Sequence, residues 1–102
     1  MTEEKVFENQ IKAYLRKMGV WYVKFFANGF TKKGIPDILC CANGHFLGIE
    51  VKSATGRPSE EQIYQIEEIK KAGGYALVVY PKDFEKLKHL IEDLLRDENT
   101  ES

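Results

Sequence analysis

The chain reads as an α/β domain in the order α-β-β-β-α-β-α, a mixed sheet flanked by helices. Three observations predict this. Apolar rows at helical spacing alternate along the chain with short β-branched and aromatic runs of strand length. Asn43-Gly44 joins two of those runs, the strongest short-range hairpin signal, because both residues accept the positive φ of a tight turn. A capped helix separates the third strand from the fourth, which makes a β-α-β crossover and predicts a parallel, right-handed pair.

The first helix is written by Phe7, Ile11, Tyr14, Leu15 and Met18 on one stripe. Thr2 is its N-cap, Glu3 and Glu4 favour its positive end, and Gly19 stops it. Residues 20–27, V-W-Y-V-K-F-F-A, read as a strand bounded by Gly19 and Asn28-Gly29. The loop N-G-F-T-K-K-G then leads to Pro36-Asp37, where proline fixes its own φ and biases Ile35 toward an extended conformation. Ile38–Cys41 and His45–Ser53 are the hairpin strands. After the loop A-T-G-R-P-S, Ser59 and Gln62 form a capping box of the S-x-x-Q form. That helix runs to about Ala72, with Ile63, Ile66 and Ile69 as its expected buried row and Gly73-Gly74 as its stop. Tyr75–Tyr80 is an apolar run expected to be a central strand covered on both faces, closed by Pro81. Asp83 then caps a last helix whose apolar side holds Phe84, Leu87, Ile91, Leu94 and Leu95. Residues 1–96 are expected to form one domain, followed by a polar tail over 97–102.

With 43% hydrophobic and 30% charged residues, a chain of 102 residues buries about two-thirds of its extended surface in one small core. A net charge of −1 hides an asymmetry: residues 1–58 carry nine Lys/Arg against five Asp/Glu, and residues 59–102 carry six against eleven. One polyanion-facing surface is compatible with that split. Cys40 and Cys41 are adjacent in a strand, so their side chains point to opposite faces. They read as small core fillers in a reducing compartment rather than as a disulfide or a metal site. No secretory, lipidation or membrane-spanning pattern is visible, and the expectation is a cytoplasmic protein with no membrane partner.

The chemistry concentrates between Gly34 and Ser59. Along the second hairpin strand Leu47, Ile49 and Val51 point one way, and Phe46, Gly48, Glu50 and Lys52 the other. Pairing about the Asn-Gly turn brings the Asp37 carboxylate to the same end of the hairpin as Glu50. Two neighbouring carboxylates repel unless a proton or cation lies between them, and hard oxygen donors suit Mg²⁺ or Mn²⁺ rather than zinc. A lysine beside them can orient a nucleophilic water or offset charge developing on a phosphate, as metal-assisted phosphodiester hydrolysis requires. By itself E-x-K is also what the solvated face of an antiparallel strand presents. Glu8 borders the apolar stripe of the first helix and, taken alone, reads as a solvated flank residue; Gln62 either completes its cap or leans over the carboxylates. Lys32 and Lys33 are candidate phosphate contacts, or solvated loop charges, and Lys12, Arg16 and Lys17 pose the same choice on the first helix.

Pro36-Asp37 followed by E-V-K at 50–52 on a hairpin, with a helix before and a helix and strand after, resembles the PD-(D/E)XK nuclease superfamily and its restriction-endonuclease-like fold. Within it, Glu8, the string G-I-P-D (Gly34–Asp37), E-V-K-S (Glu50–Ser53) and Gln62 after a Gly-containing loop are similar to the VRR-NUC domain, in its standalone phage or bacterial form. The similarity covers residues 4–81.

That resemblance implies a Mg²⁺- or Mn²⁺-dependent DNA endonuclease. Asp37 and Glu50 would be metal ligands with the Val51 carbonyl as a third oxygen. Lys52 would position the attacking water, Gln62 would order that water, and Glu8 would reach the metal's waters from the helix side. Lys32, Lys33, Arg57, Lys12, Arg16 and Ser53 are the expected DNA contacts. Standalone members resemble Holliday-junction resolvases that cut branched DNA as homodimers, since symmetric incision needs two equivalent sites. The competing expectations are a nickase or exonuclease acting on other branched or ended DNA, and a non-catalytic DNA-binding module with the same fold.

Overall fold

The computed structural model describes residues 1–98, and the elements follow the predicted order. Helix α1 (Glu3–Lys17) starts at Thr2, whose hydroxyl accepts from the Lys5 amide at 3.1 Å, and Gly19 leaves it at φ +72°. Strand β1 (Trp21–Lys24) is shorter than the aromatic run predicted, because after Lys24 the chain turns into the loop to Asp37. Strands β2 (Ile38–Ala42) and β3 (His45–Val51) pair antiparallel about Asn43-Gly44, both at positive φ (54° and 83°). Helix α2 (Glu60–Lys71) opens with the complete Ser59/Gln62 capping box. Strand β4 (Tyr75–Val79) pairs parallel with β3, as the crossover required.

The sheet order is β1-β2-β3-β4, which corrects the expectation for Tyr75–Tyr80: β4 is an edge strand. Its apolar run serves the two helix layers rather than two strand neighbours. A single turn of 3₁₀ helix, Pro81–Asp83, precedes helix α3 (Phe84–Arg96). The Asp83 carboxylate consequently accepts from the Tyr80 amide at 3.2 Å and does not cap α3 with its side chain.

Helices α1 and α3 cover one face of the sheet. Phe7, Ile11 and Leu15 from α1, with Leu87, Ile91 and Leu94 from α3, close over Ile38, Cys40, Leu47, Ile49, Val51 and Val79 in one core. Each fully buried aliphatic there contributes roughly 1.5–3 kcal/mol. Helix α2 covers the opposite face over β3 and β4 only. Ile66 is buried and Ile69 half-buried, but Ile63, expected in the buried row, is 48% exposed because the first turn of α2 overhangs the sheet. On the β1–β2 half of that face Trp21 is 63% exposed, and Val23 and Cys41 are exposed with it, as is Phe46 at the start of β3. Only Cys40 of the cysteine pair is therefore a core filler; burial pushes its thiol up to about 12.

The chain end is fastened to the hairpin turn. The Asn43 amide donates to the Leu94 and Asp97 carbonyls at 2.9 and 2.6 Å, and His45 hydrogen-bonds the Asp97 carboxylate at 2.8 Å. Of the polar tail expected over 97–102, residues 97 and 98 are described, and 99–102 lie outside the described residues. Among the described residues no helix is long and apolar enough to cross a membrane.

Candidate active site

The open end of the β2–β3 hairpin, opposite its turn, gathers the charged groups. Register decides this: Ile38 pairs with Ile49, so Asp37, one step before, faces Glu50, one step after. Gly48 makes the approach possible. A Cβ there would stand 3.0 Å from the Pro36 ring and 3.3 Å from Ile69, so the bare backbone lets fully buried Pro36 pack flat on β3 under α2. Asp37 is thereby held, and its Oδ2 accepts from the Val51 amide at 2.9 Å.

Glu50 is 1% exposed, and its Oε1 has no hydrogen-bond partner among the described residues. Its other oxygen lies 3.3 Å from Lys52 Nζ. Burial first, then the neighbouring Asp37 carboxylate, push its pKa up to about 7, against the opposing pull of Lys52. A buried carboxylate oxygen without a donor is a costly arrangement in a protein that gains nothing from it. The donor set around it, two carboxylates and the adjoining Val51 carbonyl, is all oxygen and fits a hard divalent cation. Among the described residues no group of three or more His, Cys, Asp or Glu side chains is placed to hold a metal.

Lys52 is fixed by its backbone and its cover. Its amide donates to the Val79 carbonyl at 3.0 Å, extending the β3–β4 pairing by one residue, and Gly56 lies against its side-chain stem, where a Cβ would be 3.3 Å from Cδ. Beyond Gly56 opens a cleft of about 550 Å³ in which Arg57 faces Lys82 and Tyr80. Tyr80 and Lys82 were not singled out from sequence, since nothing in the order of residues says that the end of β4 returns beside the loop after β3.

Glu8 is buried, but it stands apart from the carboxylate pair. Lys5, Lys12 and Lys24 surround it at 3.1, 3.2 and 2.9 Å. Burial, which would raise its pKa, is outweighed by these hydrogen bonds, which hold it down at about 2. Lys24 then bridges onward to Asp37 Oδ1 at 3.7 Å, and the two acids outweigh burial in raising its own pKa. Glu8 therefore meets the site through Lys24, which carries no motif of its own. Its signal was present: Lys24 is the sole cation of the aromatic run and its Cα partner is Ile38, next to Asp37.

The remaining expected residues are dispersed. Lys12 pairs with Glu8 at 3.2 Å, and the exposed Arg16 donates from Nη1 to the Tyr22 hydroxyl at 2.7 Å. Gln62 uses its Oε1 to accept from the Ser59 amide at 2.8 Å, so the capping role is the one seen. Its backbone is nonetheless close to the G-I-P-D string. Gly34 has φ +84°, and a Cβ there would be 2.2 Å from the Glu61 carbonyl and 2.8 Å from the Gln62 amide. Gly34→Ala should therefore cost roughly 2–3 kcal/mol, read as a lowered urea midpoint, from left-handed strain plus a backbone clash. Activity should fall with it, because the same loop delivers Asp37. Ser53 and Arg57 flank the Lys52 cover, and Lys32 and Lys33 lie on the exposed loop before Gly34.

A family model described as archaeal Holliday junction resolvase (Hjc), a PD-(D/E)XK nuclease-type family, matches residues 3–101, nearly the whole chain. The match is to that family and not to the VRR-NUC domain. No curated protein matches.

Proposed function

We propose that this chain, which belongs to the archaeal Holliday junction resolvase family, is a Mg²⁺- or Mn²⁺-dependent endonuclease that cuts branched DNA, four-way junctions foremost, as a homodimer. The observation that carries the metal dependence is the buried, unpartnered Oε1 of Glu50 beside Asp37. The likeness of the motifs to the VRR-NUC domain we read as the pattern shared across the wider superfamily.

When bound, a divalent cation supplies Lewis-acid polarisation of the scissile phosphate and a more acidic water. Asp37 and Glu50 hold it, with the Val51 carbonyl as third oxygen. Lys52 Nζ orients the attacking water and offsets the charge that grows on the phosphate oxygens. Lys24, held by Glu8, keeps a positive charge against Asp37 and so lowers the repulsion between the two carboxylates; Glu8 is thus a positioning residue. Gln62 fixes the first turn of α2 against the loop that carries Asp37. Lys32, Lys33 and Arg57 take backbone phosphates on either side.

Two cuts placed symmetrically across a four-way junction require two sites, and this chain has one. The β1 face, with Trp21 and Val23 exposed, is available for a second copy, whereas Leu87, Ile91 and Leu94 of α3 are spent on the protein's own core. The exposed Cys41 thiol is compatible with a reducing, cytoplasmic setting. Incubating the protein with labelled duplex, flap, fork and four-way DNA, with and without Mg²⁺, tests the reading. Paired, metal-dependent incision of the four-way form is expected; equal cutting of plain duplex, or cutting undiminished in chelator, would refute it.

A further inference from the structure

Phe30 is 101% exposed and Phe26 75% exposed, on the loop of residues 26–36 between β1 and β2. Neither ring packs on the protein's core. The turn that carries Phe30 is nonetheless built: its amide donates to Asn28 Oδ1 at 2.7 Å, and the Asn28 amide to Thr31 Oγ1 at 3.1 Å. The loop's base is pinned to the site, since the Phe25 amide donates to the Asp37 carbonyl at 2.8 Å, and Gly34 presses its far side against α2. Lys24 Nζ lies 5.9 Å from the Phe26 ring centre and 3.7 Å from Asp37, so the start of the loop adjoins the carboxylates. Lys32 and Lys33 follow on the same loop.

A phenylalanine held in water by a hydrogen-bonded turn awaits a flat apolar partner. The partner here arrives with a phosphate chain, for which the two lysines and the candidate site are arranged. In continuous duplex every base face is already stacked; at a branch the stack is interrupted and a base face is free. Resting on the function proposed above, we propose that Phe30 stacks on a nucleobase at the branch point, so that this loop distinguishes branched from plain DNA and sets the distance from branch to cut.

The test compares wild type, Phe30→Ala, Phe30→Trp and Lys33→Ala on a four-way junction carrying 2-aminopurine beside the branch, with Mg²⁺ withheld, and on duplex of equal length. Phe30→Ala should weaken junction binding about tenfold or more, leave duplex binding and the salt dependence as they are, and abolish the change in 2-aminopurine emission; Phe30→Trp should restore it. Lys33→Ala should weaken both DNAs alike and flatten the salt dependence. Junction affinity and emission unchanged in Phe30→Ala would overturn the proposal. So would a fall in its solution mass relative to wild type, which would make Phe30 a contact between subunits. If wild type neither prefers nor cuts any branched form, the functional reading itself fails, a result separate from the behaviour of the Phe30 variants.

Discussion

Lys52→Ala is expected to lower the cleavage rate on a four-way junction by at least about a thousandfold while junction binding stays within a few-fold of wild type. Lys52 is placed by β3–β4 pairing and by the stem contact with Gly56, neither of which depends on its ammonium group. Its ammonium lies 3.3 Å from Glu50, and in the proposed mechanism it acts on the reacting phosphate from there; removing one such preorganised stabiliser typically costs 10²–10³, with loss of water positioning adding to it. In the function proposed above, binding rests instead on Lys32, Lys33 and Arg57. Single-turnover rates alongside equilibrium titrations separate the two effects. Cleavage within tenfold of wild type would remove this lysine from the chemistry.

Glu50→Gln should do two opposite things: abolish cleavage and stabilise the metal-free protein. Glu50 is a buried acid whose pKa is raised from 4.5 to about 7, so between those values the folded state holds a proton that the unfolded chain releases. Stability contributed by this group is present below about pH 4.5 and is lost as pH rises through about 7. At pH 8 in chelator the ionised side chain is therefore a net cost to stability, which the neutral amide removes. For a chain of this size the melting temperature should rise by several degrees. Adding Mg²⁺ should raise wild type and leave Glu50→Gln where it was. A variant less stable than wild type at pH 8 in chelator would mean that Lys52 already compensates the buried carboxylate in full.

Much of this arrangement was readable in the residue order because it depends on local rules. Asn43-Gly44 dictated a hairpin, the hairpin dictated which residues stand opposite one another, and that register put Asp37 across from Glu50. Thr2 and the Ser59/Gln62 box placed two helix starts. What escaped the sequence was set by non-local packing. The position of β4 at the sheet edge depends on how four strands order themselves, which an apolar run cannot specify. Ile63 follows the helical period of its neighbours yet overhangs the sheet, because α2 is longer than the surface it covers. Lys24 and Glu8 belong together only once α1 is laid beside β1; from the sequence one looked like a strand residue and the other like a solvated flank. Gly34 and Gly48 carried no visible purpose until Glu61 and Pro36 stood where their side chains would have been.

The proposed hydrolysis requires the carboxylates of Asp37 and Glu50 to share one divalent cation. Thermal melting of wild type and Asp37→Asn at pH 7.5, in chelator and across a Mg²⁺ or Mn²⁺ titration, tests it most directly. Wild type should show a saturable rise of several degrees that Asp37→Asn lacks. An equal, saturable rise in Asp37→Asn would place the ion elsewhere and contradict the claim.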